Sequence, residues 1–300
     1  MKQELSVLIP TYNGDCRELV TELHHQADDI DGLRYEIVVA DDGSTERRFV
    51  DLCREVERLS NCRFIDRGVN SGRAAIRNFL AREARFQWLL FLDCDMAIPS
   101  CHFLSDYLSS DVRDIAYGGY VVGPGDNSNL RYRYEKACEP QHRADERRRH
   151  PFLHFHTCNF LVRRDLMLAH PFDERFRHYG YEDVLFGKQL QAAGVTITHI
   201  DNPAGFLVFE DNAHFVSKTE EGLRTLHTFR DDLRGYSQML TFADGCSPLL
   251  RILVRLWHCL AGPIERRLLC GPHPTLRLFK LYKLGYFLSL NNKPSTNYNL

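Results

Sequence analysis

Two aspartates follow an apolar run in the middle of the chain, in the sequence WLLFLDCDMA at residues 88–97. Asp93 and Asp95 come directly after five apolar residues. Two carboxylates at the end of a buried strand are costly unless a cation, a ligand or water offsets their charge. Because alternate residues of an extended chain point the same way, both are predicted to face one pocket. Mg²⁺ or Mn²⁺ suits such a pocket, together with the phosphates of a nucleoside diphosphate; two solvated aspartates are the alternative.

The elements that must position these residues alternate along the first hundred residues. Apolar runs predict buried strands, and apolar residues three or four apart predict helices between them. The predicted strands cover 5–10, 35–40, 62–65 and 88–92, and the predicted helices cover 16–30, 44–59 (with Ser44 as N-cap) and 73–84. This order predicts a parallel sheet with right-handed crossovers, which binds ligands outside the carboxyl ends of its strands. Polar residues follow the strands at that edge, as PTYN, DDGS and DCD, which indicates a binding crevice.

The second half of the chain alternates less regularly. The pattern predicts strands at 115–122, 155–162 and 195–200, a helix at 182–193 that ends before Gly194, and at 131–150 a helix followed by a mobile loop over the site. From residue 247 on there are eight Lys and Arg and one acid, Glu265. This segment either lies in a membrane interface, through 248–290, or forms helices packed on the main domain. The expected domains are 1–240, with a nucleotide-binding half (1–100) and an acceptor half (101–240), and a basic, amphipathic helical extension at 241–300.

Composition narrows the class of protein. The 300 residues carry a net charge of −2 and no basic tract mixed with aromatics, which argues against nucleic-acid binding. Ten scattered cysteines without a CxxC pair fit reduced thiols. The N-terminal MKQELSVLIP lacks the apolar core of a signal peptide, and no uncharged apolar stretch is long enough to span a membrane. We therefore expect a cytoplasmic location, extended to peripheral binding at the inner membrane face if the basic segment meets lipid.

Five motifs occur in an order that is more specific than any one of them. They are VLIPTYNG, VVADDGS, NSGRAAIRN, LLFLDCDM and PFDERFRHYGYEDVLFGKQLQAAG. Together they resemble the family 2 glycosyltransferases, inverting enzymes of the GT-A fold that use nucleotide-sugar donors, over roughly residues 5–200. The resemblance implies an α/β fold of GT-A type, with a mostly parallel sheet flanked by helices, followed here by a C-terminal helical extension.

The resemblance also implies a donor site. Asp42 matches the residue that accepts a hydrogen bond from a pyrimidine ring, and Arg77 matches the arginine of an N-x-G-x-x-x-A-R-N block in which Ile76 replaces the alanine. The implied donor-binding residues are Pro10, Tyr12, Asn13, Asp42, Gly72, Arg77 and Asp93, and the implied ligands of Mg²⁺ or Mn²⁺ are Asp95 and Asp93.

Glu182 and Asp183 look like the family's acceptor-side acid and catalytic base. Displacing a nucleoside diphosphate with inversion needs one base that takes the proton of the acceptor hydroxyl, while a metal takes up the charge of the leaving group. Both acids open a predicted helix, whose dipole favours the ionised form. Two ordinary first-turn acids are the alternative. Asn159 is a further candidate, for a contact with the acceptor sugar.

One position departs from the family pattern. In NPAGFLVFEDNAH, Phe206 stands where relatives often carry a histidine that serves as a third metal ligand or an acceptor contact. His199 and His214 are near in sequence, but nothing in the sequence assigns them that role. His154 and His156 alternate in a predicted strand, yet no cysteine or acid completes a zinc spacing.

The sequence therefore predicts an inverting glycosyltransferase that moves a sugar from a nucleotide-sugar, with a UDP-sugar favoured, to a hydroxyl of a glycan or lipid-linked glycan, in polysaccharide or cell-surface glycan biosynthesis. A non-catalytic sugar-nucleotide-binding module of the same fold is one alternative, and Phe206 supports it. A sugar nucleotidyltransferase is another, although its usual glycine- and arginine-rich first loop is replaced here by PTYNGD. No G-x-G-x-x-G follows the first strand and no G-x-S-x-G occurs, which argues against a dinucleotide oxidoreductase and a serine hydrolase.

Overall fold

Strands and helices alternate in the first hundred residues of the computed structural model, which describes residues 2–290, as the apolar pattern predicts. The strands are β1 (Glu4–Thr11), β2 (Arg34–Asp41), β3 (Cys62–Asp66), β4 (Trp88–Leu92), β5 (Met96–Ala97), β6 (Ile115–Tyr117), β7 (Tyr120–Val122), β8 (Asn159–Arg163), β9 (Ile197–His199) and β10 (Ala204–Phe206). The helices are α1 (Arg17–Asp28), α2 (Arg47–Arg54), α3 (Arg73–Glu83), α4 (Phe103–Ser109), α5 (Leu130–Cys138), α6 (Ala144–Arg149), α7 (Arg164–Ala169), α8 (Glu182–Ala192), α9 (Asn212–Thr228), α10 (Arg230–Leu233), α11 (Gln238–Gly245), α12 (Pro248–Leu269) and α13 (Leu276–Ser289).

Seven strands form the central sheet, in the order β3-β2-β1-β4-β8-β6-β9. Strand β1 is parallel to β2 and β4, β2 is parallel to β3, and β6 is parallel to β9, whereas β8 is antiparallel to both of its neighbours. The predicted fold class, a mostly parallel sheet flanked by helices, is therefore confirmed. Strands β1, β2 and β4 consist mostly of aliphatic residues and are buried on both faces, as is typical of parallel sheets. A second sheet has the order β5-β10-β7.

The core joins the central sheet to α3 and α8. Phe91 of β4 stacks on Phe160 of β8, with ring centroids 4.9 Å apart. Leu80 of α3 and Phe186 of α8 belong to the same buried cluster. Because burial of such residues is the main driving force of folding, the two helices are held firmly against the sheet.

The predicted strand 115–122 is wrong, since the structure splits it into β6 and β7, which belong to different sheets. Gly118 and Gly119 separate the two strands. A Cβ atom at Gly118 would lie 2.2 Å from the backbone oxygen of Asn202, and Gly119 has φ +80° against the guanidinium of Arg147. The chain turns here because only glycine fits both positions.

The predicted mobile loop in 131–150 is also wrong. The segment contains α5 and α6, and the side chain of Arg147 is 1% exposed. Its guanidinium donates hydrogen bonds of 2.8–2.9 Å to four backbone oxygens, those of Tyr117, Gly118, His142 and Ile200. A buried cation is stable only with such partners, so Arg147 fixes the end of this segment against β6.

Three further local predictions differ from the structure. Helix α2 begins at Arg47 rather than at Ser44, whose hydroxyl group donates to Asp41 instead. Strand β8 begins at Asn159 rather than at 155, because Phe155 is buried by packing on Phe160 without pairing in the sheet. Strand β9 is limited to Ile197–His199 of the predicted 195–200.

The described residues form two compact units. The first consists of residues up to 124, 138–177 and 182–208, and the second of 125–137, 178–181 and the described residues from 209 onward. The expected boundary after residue 240 falls inside α11 of the second unit, so the division into domains of 1–240 and 241–300 stays a prediction.

Helices α9, α12 and α13 share a small core in the second unit, together with Leu130 of α5. Glu220 of α9 links them, because its carboxylate accepts hydrogen bonds from Tyr282 at 2.6 Å and from Arg266 at 2.8 Å. Between residues 2 and 290, every helix is too short or too polar to traverse a bilayer.

Candidate active site

A single buried guanidinium joins the end of β4 to the start of α8. Arg77 lies on α3 and is 1% exposed. Its Nη2 donates to Oδ1 of Asp93 at 2.7 Å, and its Nη1 lies 3.5 Å from Oε1 of Glu182. The cation that offsets the charge of Asp93 is therefore part of the protein. Two acids that are far apart in sequence face one centre as a result.

The two acids at the start of α8 have opposite electrostatic surroundings. Burial raises the pKa of Glu182, and the neighbouring charge of Asp183 acts in the same direction. Burial would also raise the pKa of Asp183, but the hydrogen bond and charge of His156 and the backbone N–H of Val184 lower it below its usual value. Acid pairs whose pKa values are pushed apart take different roles, and Asp183 is the one kept ionised.

His156 is a site residue that sequence reasoning missed. Its Nδ1 donates to Oδ2 of Asp183 at 3.2 Å. The ring of His142 lies 5.5 Å away, and His142 Nε2 is 2.7 Å from the hydroxyl of Tyr120. No spacing signal points to this contact, because it joins residues 27 apart, one in the loop before β8 and one in α8.

The loop after β1 packs between the loop after β2 and the DCD motif. Asn13, with φ +48°, donates its backbone N–H to Ser44 Oγ at 2.7 Å and its side-chain amide to Thr45 at 2.9 Å. A Cβ atom at Gly14 would lie 2.9 Å from the sulfur of Cys94. Pro10 is half-buried at the end of β1, and the ring of Tyr12 is 45% exposed. Among the predicted donor residues of this loop, Tyr12 is thus the most accessible.

Asp42 holds the loop that leads into α3. Its carboxylate accepts hydrogen bonds from Arg67 at 2.7 Å, from the hydroxyl of Ser71 at 2.7 Å and from the backbone N–H of Gly72 at 2.8 Å. Gly72 has φ +90°, and a Cβ atom there would lie 2.7 Å from the oxygen of Arg177. The geometry therefore gives Asp42 and Gly72 a role in shaping the crevice, and a contact with a pyrimidine ring stays a prediction.

Few of the described side chains are placed to act as ligands of a metal ion. Within residues 2–290, no group of three or more His, Cys, Asp and Glu side chains could hold one. Asp95 is exposed, and 22% of the Asp93 side chain is exposed. Phe206 pairs with Met96, the residue after Asp95, so the departure from the family pattern lies next to the DCD motif. Two carboxylates fit Mg²⁺ or Mn²⁺ only where phosphate and water complete the coordination.

His199 does not take the place of the missing histidine. Its Nδ1 accepts from Arg147 at 3.1 Å, and its Nε2 donates to the oxygen of Pro151 at 3.0 Å. Burial and the charge of Arg147 lower its pKa to about 4. His199 is therefore a neutral core residue whose two nitrogens are both used.

Asn159 is completely buried at the start of β8. Its amide group donates to the backbone oxygens of Gly119 at 2.8 Å and Asn202 at 3.0 Å, and its Oδ1 accepts from Tyr107 at 2.8 Å. The side chain uses its two donors on the backbone, which gives Asn159 a structural role, and the sugar contact stays a prediction.

Comparison with known proteins adds a family and a fold to this geometry. The model of Glycosyl transferase family 2 matches residues 6–169. The chondroitin synthase of Escherichia coli is 27% identical over 240 residues, which cover 67% of this chain and 34% of that protein. The chain spans about a third or less of the length of the curated relatives it matches.

Two solved structures share the GT-A fold of this chain. The structure of S. aureus TarS 1-349 in complex with UDP-GlcNAc has a TM-score of 0.53 and 16% identity, over 96% of this chain and 90% of that one. The mannosyltransferase PcManGT from Pyrobaculum calidifontis, in complex with GDP-Man and Mn²⁺, has a TM-score of 0.55 and 14% identity, over 96% of this chain and 85% of that one. At these identities the likeness shows the fold alone.

Proposed function

The chain belongs to glycosyl transferase family 2, and from this premise we propose that it transfers a sugar from a nucleotide-sugar to a hydroxyl group of a glycan or lipid-linked glycan, with inversion at the anomeric carbon. The observation that carries the proposal is the contact of Arg77 with both Asp93 and Glu182, which brings the end of β4 and the start of α8 to one centre. Support comes from the position of Asp93 directly after β4, since sheets of this kind bind ligands at the carboxyl ends of their strands.

Asp183 is the base of the proposed reaction. The acceptor oxygen forms a bond to the anomeric carbon, the bond from that carbon to the diphosphate breaks, and the diphosphate leaves with the electron pair. The proton of the acceptor hydroxyl passes to Asp183, whose lowered pKa keeps it ionised beforehand. Glu182, the neighbour of Asp183, forms an ion pair with Arg77 and positions the acceptor.

Asp93 and Asp95 would hold Mg²⁺ or Mn²⁺ in this proposal, and the ion would take up charge on the departing diphosphate. Support comes from the chemistry of the two carboxylates and from the Mn²⁺ in the PcManGT complex. The donor is proposed to be a UDP-sugar, which the sequence motifs favour; the TarS complex contains UDP-GlcNAc and the PcManGT complex contains GDP-Man, so the screen below includes both bases. We also propose a role in polysaccharide biosynthesis, because the chain is similar in sequence to a chondroitin synthase.

Screening nucleotide-sugars tests this proposal. With Mn²⁺ present, we expect one nucleotide-sugar to raise the unfolding temperature, because a ligand at about 100 times its Kd stabilises the fold by about 2.7 kcal/mol. We also expect that donor to release nucleoside diphosphate slowly into water. A nucleoside monophosphate, which lacks the diphosphate, is the matched control ligand.

The alternatives give different results in the same screen. Binding without any release would favour the non-catalytic module, which Phe206 beside the DCD motif supports. In a parallel assay with a nucleoside triphosphate and a sugar phosphate, release of pyrophosphate would identify a nucleotidyltransferase. A screen without any binding would contradict the proposed function.

His156→Gln is expected to shift the pH profile of transfer. The base must be ionised, so transfer is lost as the pH falls through the pKa of Asp183. Without the hydrogen bond and charge of His156, burial dominates and that pKa rises, so activity is lost at a higher pH than in the unchanged chain. The measurement is kcat against pH on the acidic side. His154→Gln, two residues away, is the control, and identical profiles for both variants would show that His156 does not tune the base.

A further inference from the structure

Helix α12 of the second unit turns its apolar residues toward solvent. Nine of its large apolar side chains are 44–81% exposed: Leu249, Leu250, Ile252, Leu253, Leu256, Trp257, Leu260, Ile264 and Leu268. Residues 249, 253, 256, 260 and 264 are three or four apart, so they form one stripe. The buried residues of the helix are Gly262, Glu265 and Leu269. This distribution is the reverse of an ordinary surface helix, and an exposed apolar stripe of this length marks a contact surface.

Within residues 247–290, the exposed charged side chains all have one sign. Residues 247–290 contain a single acidic residue, Glu265. Its side chain is buried, with 3% of the residue exposed, and it accepts a hydrogen bond from Trp257 Nε1 at 2.7 Å. The exposed charged residues of that range are cations: Arg255, Arg267, Arg277 and Lys280. A surface of apolar and cationic side chains is complementary to a surface of apolar and anionic groups.

A cavity of about 300 Å³ adjoins the first turns of α12 and is lined by Arg251 and Arg255 of that helix. It is lined by the cations Arg230, Arg251 and Arg255, and also by His227, Asp244 and Phe287. Asp244 Oδ1 lies 3.2 Å from Arg230, so it offsets one of the three arginines. The remaining positive charge suits the phosphate of a lipid headgroup.

We propose that α12 lies in the interface of an anionic lipid bilayer, with its apolar stripe at the level of the acyl chains and its arginines at the phosphates. Its 22 residues, at about 1.5 Å each, would lie in the plane of the membrane. Two facing copies of the stripe would instead oppose cations to cations, and the exposed acid of the cavity, Asp244, already pairs with Arg230. The inference is independent of the proposed reaction.

Vesicle sedimentation with the full chain, without any nucleotide-sugar, tests this surface. We expect binding to vesicles of phosphatidylcholine mixed with phosphatidylglycerol, and much weaker binding to phosphatidylcholine alone. The double variant Leu256→Ser/Leu260→Ser should lower binding about tenfold or more, because it removes buried apolar area. The double variant Arg255→Gln/Arg267→Gln should lower binding to anionic vesicles about tenfold and leave binding to phosphatidylcholine unchanged.

A spectroscopic readout shows whether the stripe itself enters the lipid. In a Trp88→Phe background, the fluorescence of Trp257 should shift to the blue on anionic vesicles and be quenched by brominated acyl chains. The double variant Leu153→Ser/Leu168→Ser, at exposed positions of the first unit, is the matched control and should bind like the unchanged chain. Circular dichroism and thermal unfolding establish that each variant is folded.

Three results would overturn the proposal. The unchanged chain does not bind anionic vesicles, the serine variant of α12 binds as well as the control, or Trp257 stays in water when the protein is bound. A dimer in sedimentation velocity that the serine variant dissociates, without vesicle binding, would assign the stripe to a second copy.

Discussion

Replacing Asp183 with asparagine is expected to lower kcat for sugar transfer by about a thousandfold or more while donor binding is retained. A positioned general base contributes about 10²–10⁴ to the rate, and an amide cannot take the acceptor proton. The amide oxygen can still accept the hydrogen bond of His156, so the site should keep its shape. The measurements are product formation at saturating donor and calorimetric binding of the donor.

The control for this variant is Asp165→Asn, an exposed aspartate on α7 of the same unit. It should transfer sugar at the unchanged rate. If Asp183→Asn keeps turnover within a fewfold of the control, Asp183 is not the base, and the assignment of α8 as the catalytic helix is wrong.

The second large effect is a loss of stability expected for the variant Arg77→Met. Methionine removes the buried cation and leaves the carboxylates of Asp93 and Glu182 facing each other, which should lower the free energy of unfolding by about 3 kcal/mol at neutral pH. Burial raises the pKa of Glu182, and loss of Arg77, whose charge lowers that pKa, would raise it further. The stability of a group with a raised native pKa is lost as the pH rises. The destabilisation should therefore be smaller at mildly acidic pH than at neutral pH.

Urea unfolding at the two pH values measures this difference. Arg82→Met is the matched control, because Arg82 lies on the same helix with a side chain that is 55% exposed, and its loss should cost no more than about 0.5 kcal/mol. Adding Glu182→Gln to Arg77→Met should restore part of the lost stability, since one uncompensated charge is removed. Equal losses in the two arginine variants would contradict the role assigned to Arg77.

The early part of the fold is readable from sequence because its signals are local. In β1, β2 and β4, runs of aliphatic residues are long enough to show a buried parallel strand, and the intervening apolar periods show helices. The break between β6 and β7 is not readable in this way. It depends on Arg147 and Asn202, which approach Gly118 and Gly119 only after the chain has folded.

In the candidate site, too, local motifs predict the positions of residues but not their tertiary contacts. The motifs place Asp93, Glu182 and Asp183 at a strand end and a helix start, and the structure has them there. The motifs also imply that Arg77 touches the donor, which stays a prediction, and only the structure shows that its buried guanidinium contacts Asp93 and Glu182. The contact of His156 with Asp183 has no counterpart in any local pattern.

The sequence by itself determined the four strands β1 to β4, the helix that begins with two acids, and the apolar and basic character of the last segment. These properties depend on neighbours within a few residues of one another, where period and residue type are sufficient. Only the tertiary structure decided which cation each acid meets and which face of α12 is left in solvent. The ion pair of Arg77 with Glu182 joins residues 105 apart, and its geometry follows from the packing of α3 and α8 on one sheet. Charge interactions depend on distances of a few ångströms, and only the packed chain defines them.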